Sequence, residues 1–235
     1  MSTYVLLHGA WHGGWAWQRV VPLLRAAGHE VHAPTLTGLS DRAHLLSPSV
    51  GLSTHIEDVV ALLEAHDARD VVLVGHSYAG QVVTGVADRI PQRVARRVYL
   101  DAFVGEAGEA AIDLQPETVA GHYRDSVAGP GFGWLIPVRS LQVLGVTDQA
   151  DVDWLTARLT PHPWLTYTEP LRLTGAGDKV AASFIECTDW MRVFQTHAER
   201  AAERGWPVHT IPTGHEAMVT APGALAELLL GECAA

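Results

Sequence analysis

Only two cysteines, Cys187 and Cys233, and a single lysine, Lys179, occur in the chain. Two cysteines make neither a disulfide framework nor a zinc ligand set. Basic residues are scarce, 16 Lys and Arg against 26 Asp and Glu, which leaves a formal net charge of −10 and no basic run. That balance argues against nucleic acid or an anionic membrane surface as a partner. No apolar run approaches the roughly 18 residues that a membrane span needs. Met1 opens no basic, hydrophobic secretory leader, so a cytoplasmic location is expected. Internal repeats and low-complexity tracts are lacking as well. What the chain does have is apolar material: 48% of its 235 residues are hydrophobic, enough for a sizeable core and against disorder. At roughly 150 residues per domain, this length accommodates one or two.

Short apolar runs that stop at glycine or proline read as buried parallel strands. Tyr4 to Leu7, His29 to Ala33, Val71 to Val74 and Val94 to Leu100 fit that pattern in the first half. Helices are expected between them, from about Trp15 to Ala27, His55 to Ala65 and Gly80 to Arg89. The alternation resumes with strands at Ala182 to Thr188 and Val208 to Pro212, and helices at Asp189 to Arg204 and Pro222 to Leu230. It predicts an α/β fold with a doubly wound, mostly parallel sheet. From about Gly105 to Gly177 the rhythm is lost, while aromatics such as Trp134, Trp154, Trp164 and Tyr167 are scattered through it. This stretch reads as an insertion over the C-terminal edge of the sheet. The division expected is a core of residues 1–104 and 178–235, with a cap of residues 105–177 placed before the penultimate strand.

The chemistry concentrates in Gly75-His76-Ser77-Tyr78-Ala79-Gly80. Set between an apolar run and a helix, it is read against G-x-S-x-G, the nucleophile elbow, where small residues surround a strained serine. A serine hydroxyl needs a base within hydrogen-bond reach. Among thirteen histidines, His215 in Thr213-Gly214-His215-Glu216 follows the last strand and faces the same sheet edge as Ser77. His8 and His12 have the i, i+4 spacing of a metal pair, but on a glycine-rich loop that spacing aligns nothing, and no metal is expected. Two aspartates end strands between Ser77 and His215, Asp101 and Asp189. Either gives the order Ser, Asp, His; Asp101 is preferred because a helix is expected to begin at Asp189. An oxyanion hole needs two backbone N–H groups aimed at one point. Tyr78, after the serine, offers one, and Ala10, in the glycine-lined loop after the first strand, is the best placed for the other. That loop has no Gly-Lys-Ser/Thr end to hold a phosphate, and no cofactor is expected.

Four motifs carry a resemblance: His8-Gly9-Ala10-Trp11-His12-Gly13-Gly14-Trp15-Ala16-Trp17, Gly75 to Gly80, Tyr99-Leu100-Asp101-Ala102-Phe103, and Thr213-Gly214-His215. The chain resembles the α/β-hydrolase superfamily, and within it the branch of plant methyl esterases, hydroxynitrile lyases and their bacterial relatives. The resemblance implies the α/β-hydrolase fold, Ser77 as nucleophile, His215 as base, and the Ala10 and Tyr78 amides as oxyanion hole. The branch usually takes its acid two residues beyond Cys-Thr, where this chain has Trp190; relatives that are haloalkane dehalogenases take it from a place like that of Asp101. A cofactor-independent serine hydrolase is expected, cleaving an ester or lactone of a small, largely apolar molecule, with Trp11, Trp134, Trp154 and Trp164 lining the pocket. Lyase, cyclase or rearrangement chemistry on the same scaffold is the alternative, ahead of an inactive binder. A homo-oligomer remains compatible with the sequence.

Overall fold

The computed structural model describes residues 1–232; Cys233 lies outside the described residues. The strands are β1 (Thr3–Leu7), β2 (Glu30–His32), β3 (Val71–His76), β4 (Val94–Leu100), β5 (Leu135–Ile136), β6 (His162–Pro163), β7 (Ala181–Cys187) and β8 (Val208–Ile211). Six of them form one sheet in the order β2-β1-β3-β4-β7-β8, every pairing parallel, while β5 and β6 pair antiparallel apart from it. The helices are α1 (Val21–Ala26), α2 (Leu52–Ala65), α3 (Ala79–Arg89), α4 (Glu117–Ala128), α5 (Gln149–Thr156), α6 (Leu165–Thr168), α7 (Gln195–Glu203), α8 (Ala217–Thr220) and α9 (Pro222–Gly231). This is the α/β-hydrolase architecture.

The central strands β1 and β3 are almost wholly apolar and buried because the sheet is covered on both faces. Successive side chains of a strand point to opposite sides. Val5, Leu7, Val71, Leu73 and Tyr99 accordingly join a core with α2 and α3. Tyr4, Leu6, Val72, Val74 and Val98 join a second core with Leu24 of α1 and Leu225 of α9. The Tyr4 hydroxyl also donates to the Leu229 carbonyl at 2.8 Å, tying the last helix to the first strand.

Three expected elements differ. The helix expected from Trp15 to Ala27 is a 3-10 turn at Gly14–Trp17 followed by α1. Pro22 has no N–H to continue a helix already begun, but it suits the first turn of a new one. The helix expected to begin at Asp189 begins at Gln195 instead, after a loop in which Arg192 has φ +48°. The stretch between β4 and β7 is more regular than expected, holding α4, α5, α6 and the β5–β6 pair.

In parallel strands the C-terminal ends meet along one edge. Ser77 follows β3, Asp101 follows β4, and His215 comes four residues after β8, so this edge gathers all three. Lys179 is exposed two residues before β7, whose first residue, Ala181, pairs in register with Arg96 and through it lies level with Val72. At about 3.3 Å per residue this puts Lys179 roughly 20 Å along the sheet from Ser77, at the opposite edge.

Candidate active site

Ser77 has φ +56°, in the left-handed region that an L-residue enters only when its surroundings hold it there. They do so by close packing. Its N–H donates to the Leu100 carbonyl (3.1 Å), and its carbonyl accepts from the Phe103 N–H (3.2 Å). A Cβ on Gly75 would come within 2.5 Å of Val83 Cγ2, and one on Gly80 would collide with the Phe103 carbonyl oxygen. The comparison with G-x-S-x-G needs correction here. The second glycine position is Ala79, fully buried, and the glycine that sterics demand is Gly80, one residue later.

The structure brings Asp101, and not Asp189, to His215. The Asp101 Oδ2 to His215 Nδ1 distance is 2.7 Å with both side chains buried, whereas Asp189 is exposed. Asp101 itself has φ +44°, and its other oxygen, Oδ1, accepts from the Cys187 N–H at 3.3 Å. Burial raises the Asp101 pKa above the ordinary carboxylate value, opposed by the hydrogen bond from His215. With Nδ1–H donated to the carboxylate, the lone pair of the His215 imidazole is on Nε2. The ring packs against two neighbouring aromatics, Phe194 (centroids 5.2 Å apart, 5° between planes) and Trp190 (4.5 Å, 30°), which are 6.3 Å from each other. Its backbone N–H donates to the Leu144 carbonyl at 2.9 Å, so the β4–β7 segment buttresses the histidine loop. His76, His215 and Glu216 also bring one donor atom each within 4.8 Å of one another, the grouping among the described residues with ligand-like spacing. An ion there would engage the same imidazole that Asp101 orients.

The loop after β1 is fixed by buried histidines, which is what became of the His8 and His12 pair. His8 donates from Nδ1 to the Gly9 carbonyl (2.8 Å) and accepts at Nε2 from the Leu36 N–H (3.1 Å). His12 Nδ1 donates to the Ala10 carbonyl at 2.7 Å, while its Nε2 lies 3.3 Å from Glu216. His162 accepts the Trp11 N–H (3.3 Å). The Tyr78 hydroxyl donates to His55 Nδ1 (3.0 Å), and His55 donates from Nε2 to the Thr37 carbonyl (2.9 Å). The Ala10 and Tyr78 amides, by contrast, have no intramolecular acceptor among the described residues.

Ser77 and His215 line one cavity of about 90 Å³ together with Trp11, Tyr167, Trp190 and Phe194. Of the four tryptophans expected there, Trp11 lines it, and the other three pack elsewhere. Trp154 meets Trp15 edge-on at 5.1 Å and lies between Arg19 and Arg158, fastening α5 to the 3-10 turn. Trp164 stacks on Tyr167 (6.3 Å), and the Trp134 carbonyl accepts the Trp164 N–H, so both serve the β5–β6 pair. Tyr167, one of the insertion's scattered aromatics, does line the cavity; the aromatics there that sequence reasoning missed are Tyr123, Trp190 and Phe194. Trp190 carried a usable signal, since it occupies the position where the resembling branch has its acid.

Burial holds His8 neutral, with its pKa lowered to about 3, and His55 and His197 to about 4; His76 and His162 are pushed well below the ordinary value by the same cause. Below about pH 6.5 the unfolded chain binds protons at these five sites that the fold refuses. Stability is therefore full above that pH and falls as pH falls, by about 1.4 kcal/mol per group per unit until the folded-state value is reached. Asp101 works in the opposite direction, but it is one group against five. The five share one sign, so acid destabilises the fold. The melting temperature should be nearly constant above about pH 7 and drop steeply between about pH 6 and 4.5. Calorimetric scans across that range check this, and an unchanged Tm at about pH 4.5 would contradict it.

Residues 4–228 match the model of the Alpha/beta hydrolase family. The chain is 40% identical over 242 residues to a carbendazim hydrolyzing esterase of Nocardioides sp. (strain SG-4G), covering 97% of this chain and 98% of that one. Salicylic acid-binding protein 2 of Nicotiana tabacum is 35% identical over 105 residues, 44% of this chain and 40% of that protein. The solved structure of an extracellular α/β-hydrolase from a Paenibacillus species superposes with a TM-score of 0.87 at 22% identity, with 98% of each chain covered. Among the described residues no helix is long and apolar enough to cross a membrane. With its parallel sheet, the strained serine after β3 and a family match over nearly its whole length, this chain belongs to the alpha/beta hydrolase family.

Proposed function

We propose that the protein is a cofactor-independent serine esterase acting on small, largely apolar esters or lactones, with Ser77, His215 and Asp101 as its triad. The observation that carries this reading is the Asp101–His215 hydrogen bond, which leaves Nε2 as the free base in a cavity shared with Ser77. The esterase named among the relatives supports it. Ser77 Oγ attacks the carbonyl carbon while His215 Nε2 takes its proton. The Ala10 and Tyr78 N–H groups receive the negative charge that develops on the carbonyl oxygen. His215 then returns the proton to the leaving alcohol, giving an acyl-enzyme, and deprotonates the water that releases the acid. Residues 105–177 act as a cap that closes the apolar cavity over this chemistry.

Lyase chemistry of the hydroxynitrile type would use a lysine at the pocket. Lys179, the sole lysine, lies at the far edge of the sheet, which favours hydrolysis. A fluorophosphonate or sulfonyl fluoride should label Ser77 and no other serine, as read by peptide mass spectrometry, and should abolish turnover of p-nitrophenyl esters in step with labelling. Full turnover by the labelled protein would overturn the proposal.

A further inference from the structure

A cavity of about 90 Å³ is small beside the roughly 300–1,000 Å³ usual for a small-molecule site. Any ester beyond the smallest must therefore extend outward from Ser77. Next to the cavity lies a groove of about 370 Å³ lined by His122, Pro137 and Ser140, and the two share Tyr123, Arg139 and Val143 as their common wall. Arg139 thus stands where a substrate passes from one to the other.

Most arginines of this protein are paired: Arg19, Arg42, Arg96, Arg192 and Arg200, for example, each lie within 4.0 Å of a carboxylate. Arg139 is not. Among the described residues no carboxylate lies within ion-pair distance of its guanidinium, and it makes no hydrogen bond. Its one fixed contact is the face of the Tyr123 ring, 5.0 Å from the guanidinium carbon. That stacking pins the orientation of a long side chain and leaves its N–H edge uncommitted. Apart from Gln115, Ser77 and His215, the remaining cavity wall is aliphatic, aromatic or thioether, so Arg139 is its single fixed positive charge. A guanidinium fork matches a carboxylate with two parallel hydrogen bonds.

We propose that Arg139 is a specificity-determining residue that binds a carboxylate on the substrate, so that the preferred substrates are small apolar esters bearing an anionic group at the end away from the scissile bond. This rests on the serine-esterase reading above. It adds a charged end to the apolar body that the cavity alone suggests, and it runs against the protein's net charge of −10, which by itself would repel anions.

The test pairs monomethyl esters of dicarboxylic acids, from succinate to suberate, with methyl esters of fatty acids of the same length. The wild type should favour the anionic member at one or two chain lengths. In Arg139→Gln the ratio of kcat/KM between anionic and neutral esters should fall about 10- to 100-fold. Arg139→Lys, which keeps the charge and loses the fork, should fall between. A ratio within threefold of wild type in both variants, or no anionic preference at any length, overturns the proposal. The melting temperature and circular dichroism of each variant report whether it is folded. Calorimetric binding of the same esters to Ser77→Ala, with and without Arg139→Gln, separates the two readings. If wild type and Ser77→Ala hydrolyse the esters equally, the esterase assignment falls, and the binding ratio alone then decides the role of Arg139.

Discussion

Ser77→Ala should lower kcat on p-nitrophenyl esters by about ten-thousandfold or more, with Tm nearly unchanged. The hydroxyl is the only part of the side chain removed, and the hydrogen bonds that hold residue 77 at φ +56° come from its backbone, so the elbow survives the substitution. What is lost is the covalent step. The amides of Ala10 and Tyr78 can still polarise a bound carbonyl, so some acceleration over water persists. His215→Ala should cost a similar factor, and the double variant little more than either, because nucleophile and base act as a unit. Steady-state kinetics on the three variants checks this. Ser77→Ala turnover above about one-hundredth of wild type, in protein freed of wild-type contamination, would remove Ser77 from the mechanism.

Asp101→Asn should cost about a thousandfold to ten-thousandfold in kcat, through the tautomer of His215 rather than through loss of structure. The two Asp101 oxygens have different duties: Oδ1 accepts from the Cys187 N–H and Oδ2 from His215 Nδ1–H. An asparagine has one oxygen to give. Turned toward His215, it would face its NH2 against the Cys187 N–H, two donors in a fully buried place, which is costly. The favoured orientation gives the oxygen to Cys187 and the NH2 to His215 Nδ1. The imidazole must then accept at Nδ1 and carry its proton on Nε2, where it cannot serve as a base. Asp189→Asn, on an exposed side chain, should stay within about threefold of wild type. The ordering of these two variants is the decisive readout. Impairment by Asp189→Asn with Asp101→Asn active would reverse the assignment.

Features with a local cause were open to sequence reasoning. The apolar runs Tyr4 to Leu7 and Val71 to Val74 follow from burial on both faces, and the order of Ser77, Asp101 and His215 along the chain follows from three strand ends meeting at one edge. The preference for Asp101 over Asp189 rested partly on a helix start at Asp189 that the structure does not have; what separates the two is that one is buried against His215 and the other faces solvent. Long-range packing was hidden. Trp154, Trp164 and Trp134 are bulky aromatics in the right segment, but their partners, Trp15, Tyr167 and the β5–β6 backbone, draw them away from Ser77. Nothing local distinguished them from Trp190 and Phe194, which pack against the His215 imidazole. The unpaired state of Arg139 was equally invisible, since whether an arginine finds a carboxylate depends on distant chain.

The position of Lys179 bears on how this protein can be handled. An amine-reactive support or dye meets, besides the exposed α-amine of Met1 at the same end of the strands, one lysine side chain, exposed and at the sheet edge opposite the serine. Coupling through either amine would tether the molecules by the same end of the sheet, with the mouth of the cavity turned toward solution. A fluorophore placed there would report tumbling or surface density without crowding an incoming ester.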